Sequence, residues 1–269
     1  RPANVTAPAN TLRGMATSES SGSPQGSGAQ RPSSLSRYQL AFSLSAGALI
    51  VAGVSLFLVG VDLRAVVMSI AAYGLALALT IWLWRRGFSH PSLGVANTIT
   101  VFRLALVASL LAPLVAPAPP AGIISVAITT LVLDGLDGWF ARRSNRVSAF
   151  GARLDIEVDA GLTVVLALNA LVSESVGLLV LLLVVPRYLW VAIGRLLPWL
   201  RAELPERWSR KVVTVIQTAT LIALQLPFVT GLLGTLLVLV VGGIVLFSFG
   251  QDVIWLARRR HQHAPPPQA

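Results

Sequence analysis

Asp134 and Asp137 stand three residues apart, and Asp155 and Asp159 four apart, inside a chain otherwise dominated by long runs of Leu, Val and Ala. At 3.6 residues per helical turn, each pair falls on one helix face, its members within about 60° and 40° of each other respectively. Two helices thus each offer two carboxylates in one direction. A carboxylate inside a membrane span costs roughly 2.5–3.5 kcal/mol on insertion scales, and four facing anions add mutual repulsion, so the arrangement calls for a bound cation. Oxygen-only donors suit Mg²⁺, Mn²⁺ or Ca²⁺. The chain has no Cys, and His90, His261 and His263 all fall in predicted loops or the tail, which argues against Zn²⁺. Gly135, Gly138, Ala141 and Gly151 keep the backbone open beside the acids, while Arg142, Arg143, Arg146 and Arg153 bring positive charge to the same level. Carboxylate-held metal, arginine and open backbone are the equipment of phosphoryl transfer, where catalysis is mostly positioning and charge neutralisation.

The elements that must carry these acids are membrane helices. Of 269 residues, 55% are hydrophobic and 12% charged, and the mean hydropathy is +0.74, far from the composition of a soluble domain. Apolar runs near the ~20 residues needed to cross a bilayer predict an all-α integral membrane protein of about eight spans. They lie at residues 39–60, 66–84, 97–117, 121–141, 148–172, 176–195, 212–229 and 232–256. The formal charge of +10 is not spread as a nucleic-acid surface would need, and no soluble domain exists to carry one. Instead, alternate loops hold nearly all the Arg: 85–86, 142–146, 195–211 and 258–260 are basic, whereas the opposite loops contain only Arg64. The positive-inside rule then predicts that the basic loops, the acidic cluster and both ends of this chain face the cytoplasm.

Four segments are expected. Residues 1–36, rich in Ser, Gly, Pro and Ala without apolar period, read as disordered. Residues 37–88 form a two-helix transmembrane hairpin, 89–260 a six-helix catalytic domain holding every membrane-embedded acid, and 261–269 a disordered tail.

The acidic stretch resembles the signature of the CDP-alcohol phosphotransferase family, D-x2-D-G-x2-A-R-x8-G-x3-D-x3-D. Asp134, Asp137, Gly138, Ala141, Arg142, Gly151, Asp155 and Asp159 match it without departure in type or spacing. The resemblance covers roughly residues 92–257 and implies a six-helix core, which the hairpin precedes. It also implies two metal ions, Mg²⁺ or Mn²⁺, held by the four aspartates, with Asp159 both ligand and general base. Gly138, Ala141, Arg142 and Gly151 are implied to line the CDP pocket. The implied reaction is attack of an alcohol hydroxyl on the β-phosphorus of a CDP-linked substrate, with CMP leaving.

Outside the signature, Asn97, Thr100 and Arg103 match an N-x-x-T-x-x-R opening common in the phosphatidyltransferase branch, and are expected to touch nucleotide or phosphate. Arg187 and Arg195 have the eight-residue separation of bacterial phosphatidylglycerophosphate and phosphatidylinositol phosphate synthases. Lys211, Thr214 and Gln217 match their K-x-K-T-x-x-Q opening. Two positions depart: Tyr188 stands where a Glu usually follows the Arg, and Val213 replaces the second Lys. Arg187 and Lys211 are the candidates for an acceptor phosphate, because embedded cations need an anion nearby.

The resulting expectation is a metal-dependent enzyme of a bacterial plasma membrane. It would transfer a phosphatidyl group from CDP-diacylglycerol to a small alcohol, and family analogy implies a homodimer. Glycerol 3-phosphate leads among acceptors, followed by inositol phosphate and phosphatidylglycerol. A CDP-aminoalcohol donor acting on diacylglycerol is the alternative within the same chemistry. A divalent-cation transporter is the alternative from another class, but it needs acids at the bilayer midplane on several spans, not on two helices beside one interface.

Overall fold

The computed structural model describes residues 34–87, 95–144, 149–201 and 208–262. Most of the segment expected to be disordered, residues 1–33, and the tail from 263 lie outside them. Eight α-helices and no strands occur among the described residues: α1 (Ser34–Val59), α2 (Leu63–Gly87), α3 (Val95–Ser109), α4 (Pro120–Ser144), α5 (Ala149–Val172), α6 (Leu181–Leu196), α7 (Trp208–Ala223) and α8 (Gly231–Gln262).

Local chemistry explains the ends. Gly60 takes a left-handed conformation (φ 68°) between α1 and α2, and the Ala65 amide donates to Asp62 Oδ1 at 3.0 Å, so Asp62 caps the start of α2. The expected span 97–117 is interrupted. Its helix stops at Ser109 and continues as a 3-10 turn over Ala112–Leu114, where Pro113 cannot supply an amide to an α-helical ladder. Pro120 opens α4, a position where the missing N–H costs nothing. The span expected at 176–195 starts as a 3-10 turn, Gly177–Val180, before α6. The one expected at 212–229 begins earlier, at Trp208, and ends at Ala223, short of Pro227. Helix α8 runs six residues past its apolar stretch, to Gln262, and Arg259 lies over the Trp255 ring at 5.1 Å.

Helix α3 packs against α1, α2, α4 and α5, while α5 also meets α6 and α7, and α8 packs on α6 and α7. The hairpin closes tightly: a Cβ on Gly47 would lie 1.9 Å from Tyr73 Oη, so only glycine lets that ring sit against α1. Tyr73 and Leu77 of α2 share a buried cluster with Val51, Ala105 and Ala108. The main core gathers Leu106 and Leu110 of α3, Val158, Leu162 and Leu166 of α5, and Leu221 and Leu224 at α7.

Side-chain amides join helices where apolar contact gives little preference over lipid. Asn169 Nδ2 donates to the Leu110 carbonyl at 2.9 Å, Gln225 Nε2 to Leu166 at 3.0 Å, and Gln217 Nε2 to Leu183 at 2.6 Å. Many large apolar side chains point outward, among them Leu49, Leu75, Leu232 and Phe247, which suits a lipid surround. Three stretches, Leu63–Trp82, Gly177–Leu196 and Gly231–Arg259, are long and apolar enough to cross a membrane. Shorter apolar helices cover Leu44–Val59, Ile99–Leu114 and Pro120–Leu136. Helix α5 carries Arg153, Asp155, Glu157 and Asp159, so its hydropathy is lowered by the residues that make it chemically interesting.

Candidate active site

Helices α4 and α5 present their acids to each other from opposite directions along the chain. Asp134 lies in the second half of α4, while Asp155 and Asp159, one turn apart, lie in the first half of α5. One carboxylate oxygen from each of the three lies within 4.8 Å of the others. The side chains of Asp137, Gly138, Ala141, Arg142 and Asn97 fall outside the described residues.

Arg103 reaches the same point from α3. Its side chain is wholly buried, and Nη1 lies 2.8 Å from Asp134 Oδ1. Nη1 also contacts Asp155 Oδ1, Nη2 contacts Asp159 Oδ1, and Nε donates to the Thr130 carbonyl of α4 at 3.3 Å. One guanidinium therefore ties three helices together. The three carboxylates keep 33, 36 and 41% of their side-chain surface exposed, so the acids open on one side while the arginine backs them on the other. Arg103 contacts Oδ1 of each of the three acids. A hard divalent cation bridging oxygens at 2.0–2.6 Å fits three oxygens so close together, with no nitrogen or sulfur ligand required.

A cavity of about 200 Å³ adjoins the cluster, smaller than the roughly 300–1,000 Å³ of typical ligand pockets. Asp134 and Asp159 line it, together with Arg187 of α6, Arg210 and Gln217 of α7, and Asp252 of α8. Arg187 Nη2 donates to the Ile156 carbonyl at 3.2 Å, one turn before Asp159. Asp252, 5% exposed, faces Arg210 Nε at 3.6 Å.

Of the residues singled out from sequence, Asp134, Asp155, Asp159 and Arg103 come together, and Arg187, Thr214 and Gln217 share the adjoining cavity. Arg103 lies on the carboxylates. Thr100 is buried one turn before it on α3, and Gly151 sits half-buried one turn before Asp155. Lys211 is exposed and does not line the cavity, because it sits about 100° around α7 from Arg210. Sequence reasoning passed over Arg210 as one of several loop arginines and did not single out Asp252. The signal for the latter was present: Asp252 is the sole acid in the 32 residues of α8, and an isolated acid in an apolar helix demands a partner.

Comparison with known proteins bears on the same region. The family described as CDP-alcohol phosphatidyltransferase matches residues 93–247, more than half of the chain and the whole stretch from α3 into α8. No curated protein and no solved structure matches. The family transfers a phosphatidyl group from a CDP-alcohol to an acceptor alcohol, and is divalent-metal dependent in general. A chain whose described residues are helical and bring three signature acids, Asp134, Asp155 and Asp159, to one point within the matched residues suits that chemistry. The protein is thus a member of the CDP-alcohol phosphatidyltransferase family, an integral-membrane transferase of substituted phosphate groups.

Proposed function

We propose that the protein uses CDP-diacylglycerol as donor and a small phosphorylated alcohol, glycerol 3-phosphate first among candidates, as acceptor. The reading extends to the phosphatidylglycerophosphate and phosphatidylinositol phosphate synthase-like branch, to a homodimer, and to a site facing the cytoplasm. It keeps residues 37–88 as a hairpin added to a six-helix catalytic domain over 89–260. The convergence of Asp134, Asp155 and Asp159 beside a cavity that also holds Arg187 and Arg210 is the observation that carries it. Arginines lining the cavity compete with a transported cation for the acids, whereas a transferase acting on phosphates uses them to bind its substrate.

Asp134, Asp137, Asp155 and Asp159 are assigned to hold two Mg²⁺ or Mn²⁺ ions. When bound, these ions neutralise the pyrophosphate and stabilise the departing CMP. Gly138, Ala141, Arg142 and Gly151 are assigned to the CDP pocket, with Asn97 and Thr100 beside it. Arg103 keeps the carboxylates of α4 and α5 pointed at one another. Asp159, which borders the cavity, takes the proton from the acceptor hydroxyl as its oxygen bonds to the β-phosphorus, and the bond from that phosphorus to the CMP oxygen breaks. A lipid donor reaches such a site sideways between helices, and a water-soluble acceptor reaches it from the aqueous side.

The test is CMP release by purified protein in detergent, with Mg²⁺ or Mn²⁺, CDP-diacylglycerol and a panel of acceptors. Release with a phosphorylated acceptor is expected, falling by about two to four orders of magnitude in Asp159→Asn, the range ascribed to a positioned general base. Release only with CDP-aminoalcohol donors and diacylglycerol would move the assignment to that branch.

A further inference from the structure

Two spaces lie on either side of the seam between α6 and α8. One is the cavity of about 200 Å³ that Asp134 and Asp159 line. The other is a groove of about 610 Å³, walled by Leu182, Pro186 and Trp190 of α6 and by Leu246, Phe249 and Gly250 of α8. Among the described residues, no charged or hydroxyl-bearing side chain lines the groove. Val185, Leu189 and Leu246 on its walls are each about half exposed, so it opens on the hydrocarbon of a surrounding bilayer. Phe249 is the one residue, among the described ones, that lines both spaces. It lies beyond the family-matched residues 93–247.

Helical phase sets the two spaces back to back. On α6, Leu182, Pro186 and Trp190 recur every four residues and line the groove, while Leu183 and Arg187, each one residue further on, line the cavity. The helices meet closely at Gly242, where a Cβ would lie 2.4 Å from Leu182 Cδ2. About two turns later along α8, a Cβ on Gly250 would meet nothing within 4 Å, so the groove is open there. Phe249 stands at this opening. Its ring meets that of Trp190 at 5.7 Å between centroids, tilted by 53°, within the range that aromatic pairs favour, and it packs against the main core. Where close backbone contact between α6 and α8 ends, an aromatic ring separates the acidic cavity from hydrocarbon.

This separation bears on which alcohol reaches the acids. An alcohol that carries acyl chains must leave them in hydrocarbon while its hydroxyl approaches Asp159, and each methylene drawn into a polar space costs about a fourfold factor in partition. In diacylglycerol the hydroxyl is one carbon away from a chain-bearing carbon, so its chains stay in hydrocarbon only where groove and cavity are continuous. A water-soluble alcohol has no such requirement. Leu136 of α4 and Ile156 of α5 are exposed apolar residues close in sequence to the acids and line neither space, which gives the chains of a lipid donor an approach of their own. A second lipid, bringing the hydroxyl, would have to come by the groove.

We infer that Phe249, held by Trp190, is a partition that restricts the acceptor to water-soluble alcohols, and that its removal admits a lipid alcohol. The inference rests on the proposed transferase reading and adds the class of acceptor that the site excludes. Phe249 is a specificity residue at the cavity wall, and Trp190 a positioning residue that acts through it. In the opened site the hydroxyl oxygen of diacylglycerol bonds to the β-phosphorus, its proton passes to Asp159, and the bond from that phosphorus to the CMP oxygen breaks, as with a water-soluble acceptor.

The test takes two readouts from the full-length protein in mixed lipid–detergent micelles with Mg²⁺. The first is CMP release from CDP-diacylglycerol with glycerol 3-phosphate or with diacylglycerol as acceptor. The second needs no turnover. The chain has no Cys, so Ser248→Cys, on the cavity wall, reports whether a water-soluble or a long-chain alkyl maleimide reaches the cavity. With Phe249 present, only glycerol 3-phosphate should be used and only the water-soluble reagent should label. Phe249→Ala should raise the ratio of diacylglycerol to glycerol 3-phosphate turnover by about tenfold or more, the worth of two methylenes, and should let the long-chain reagent label Ser248→Cys. Trp190→Ala should move both readouts in the same direction by less, and carries the test where Phe249→Ala does not fold. Phe249→Met, which refills the space, should behave as wild type, and Val185→Ala, which widens the groove without breaching its wall, should change neither readout. Diacylglycerol use by the wild type equal to that of glycerol 3-phosphate overturns the inference. So does a raised KM for CDP-diacylglycerol in Phe249→Ala with no gain in diacylglycerol use, which would mean that the groove houses the donor's chains. If labelling responds as described but no acceptor releases CMP, the transferase reading fails and the partition stands. If CMP release follows that reading but labelling ignores Phe249→Ala, the reading stands and the partition fails.

Discussion

Arg103 is the residue on which the acidic cluster depends. Three carboxylates from two helices share its guanidinium, and its burial on α3 leaves it no route to solvent. Removing it would leave three anions facing one another, a loss on the order of a few kcal/mol, moderated because each acid keeps at least a third of its side-chain surface exposed. Arg103→Leu should therefore melt at a lower temperature than wild type in metal-free buffer. Added Mg²⁺ should raise its melting temperature more than it raises that of wild type, because a cation bound only by the folded state stabilises in proportion to its affinity, and that affinity rises once the competing charge is gone. An identical Mg²⁺ response in both proteins would contradict this. The acids themselves were legible as residues, since their spacing and isolation among Leu and Val need no structure to be noticed. The partner of those acids was not: Arg103 read as a residue that touches nucleotide or phosphate, because local spacing carries no information about which helix lies opposite.

At the scale of elements, the site depends on the rotational phase of two helices. Asp155 and Asp159 reach the cluster only because four residues separate them along α5. One alanine inserted after Glu157 would rotate Asp159 by about 100° away from Asp155, and should abolish CMP release while leaving the protein in the membrane fraction. The same insertion in the turn after Val172 should be tolerated far better, since loops absorb added residues. Activity that survives the α5 insertion would mean that the two acids do not act together. Phase also separates the basic residues of α7. Basic residues at its start are adjacent in sequence, yet Arg210 faces the cavity and Lys211 does not. Hydropathy located the helix starts to within about five residues but misplaced the ends of α3, α7 and α8 by six to eight, and missed the breaks at Ala112–Leu114 and Gly177–Val180, because an apolar 3-10 turn is as hydrophobic as an apolar α-helix.

For the whole molecule, the uneven distribution of Arg predicts an orientation. The chain has no Cys, so single cysteines can be introduced without background. A cysteine at Ser173, between α5 and α6, should react with a membrane-impermeant maleimide in intact cells, and one at Arg258 only after the membrane is opened. The reverse pattern would invert the topology and put the acidic cluster on the opposite side. The hairpin of α1 and α2 packs on α3, the helix that carries Arg103, so it supports the element that supports the site. This connection was not visible in sequence, where the hairpin contains no acid within its apolar runs and suggests no chemistry of its own.

The sequence by itself determined the class of molecule, the rough limits of the helices among the described residues, and the four-residue step that puts Asp155 and Asp159 on one helix face. Each of these is a local property: apolar length decides whether a segment crosses lipid, and a three- or four-residue step decides which side chains share a face. The family signature is local too, contained in residues 134–159. Tertiary structure decided what meets those acids. It brought Arg103 from α3 onto them, turned Arg210 and not Lys211 into the cavity, and set Asp252 of α8 against Arg210. These contacts join residues far apart in the chain, and they depend on how each helix is rotated against its neighbours. Packing sets that rotation, through close approaches such as Gly47 against Tyr73 and cross-helix bonds such as Asn169 to Leu110.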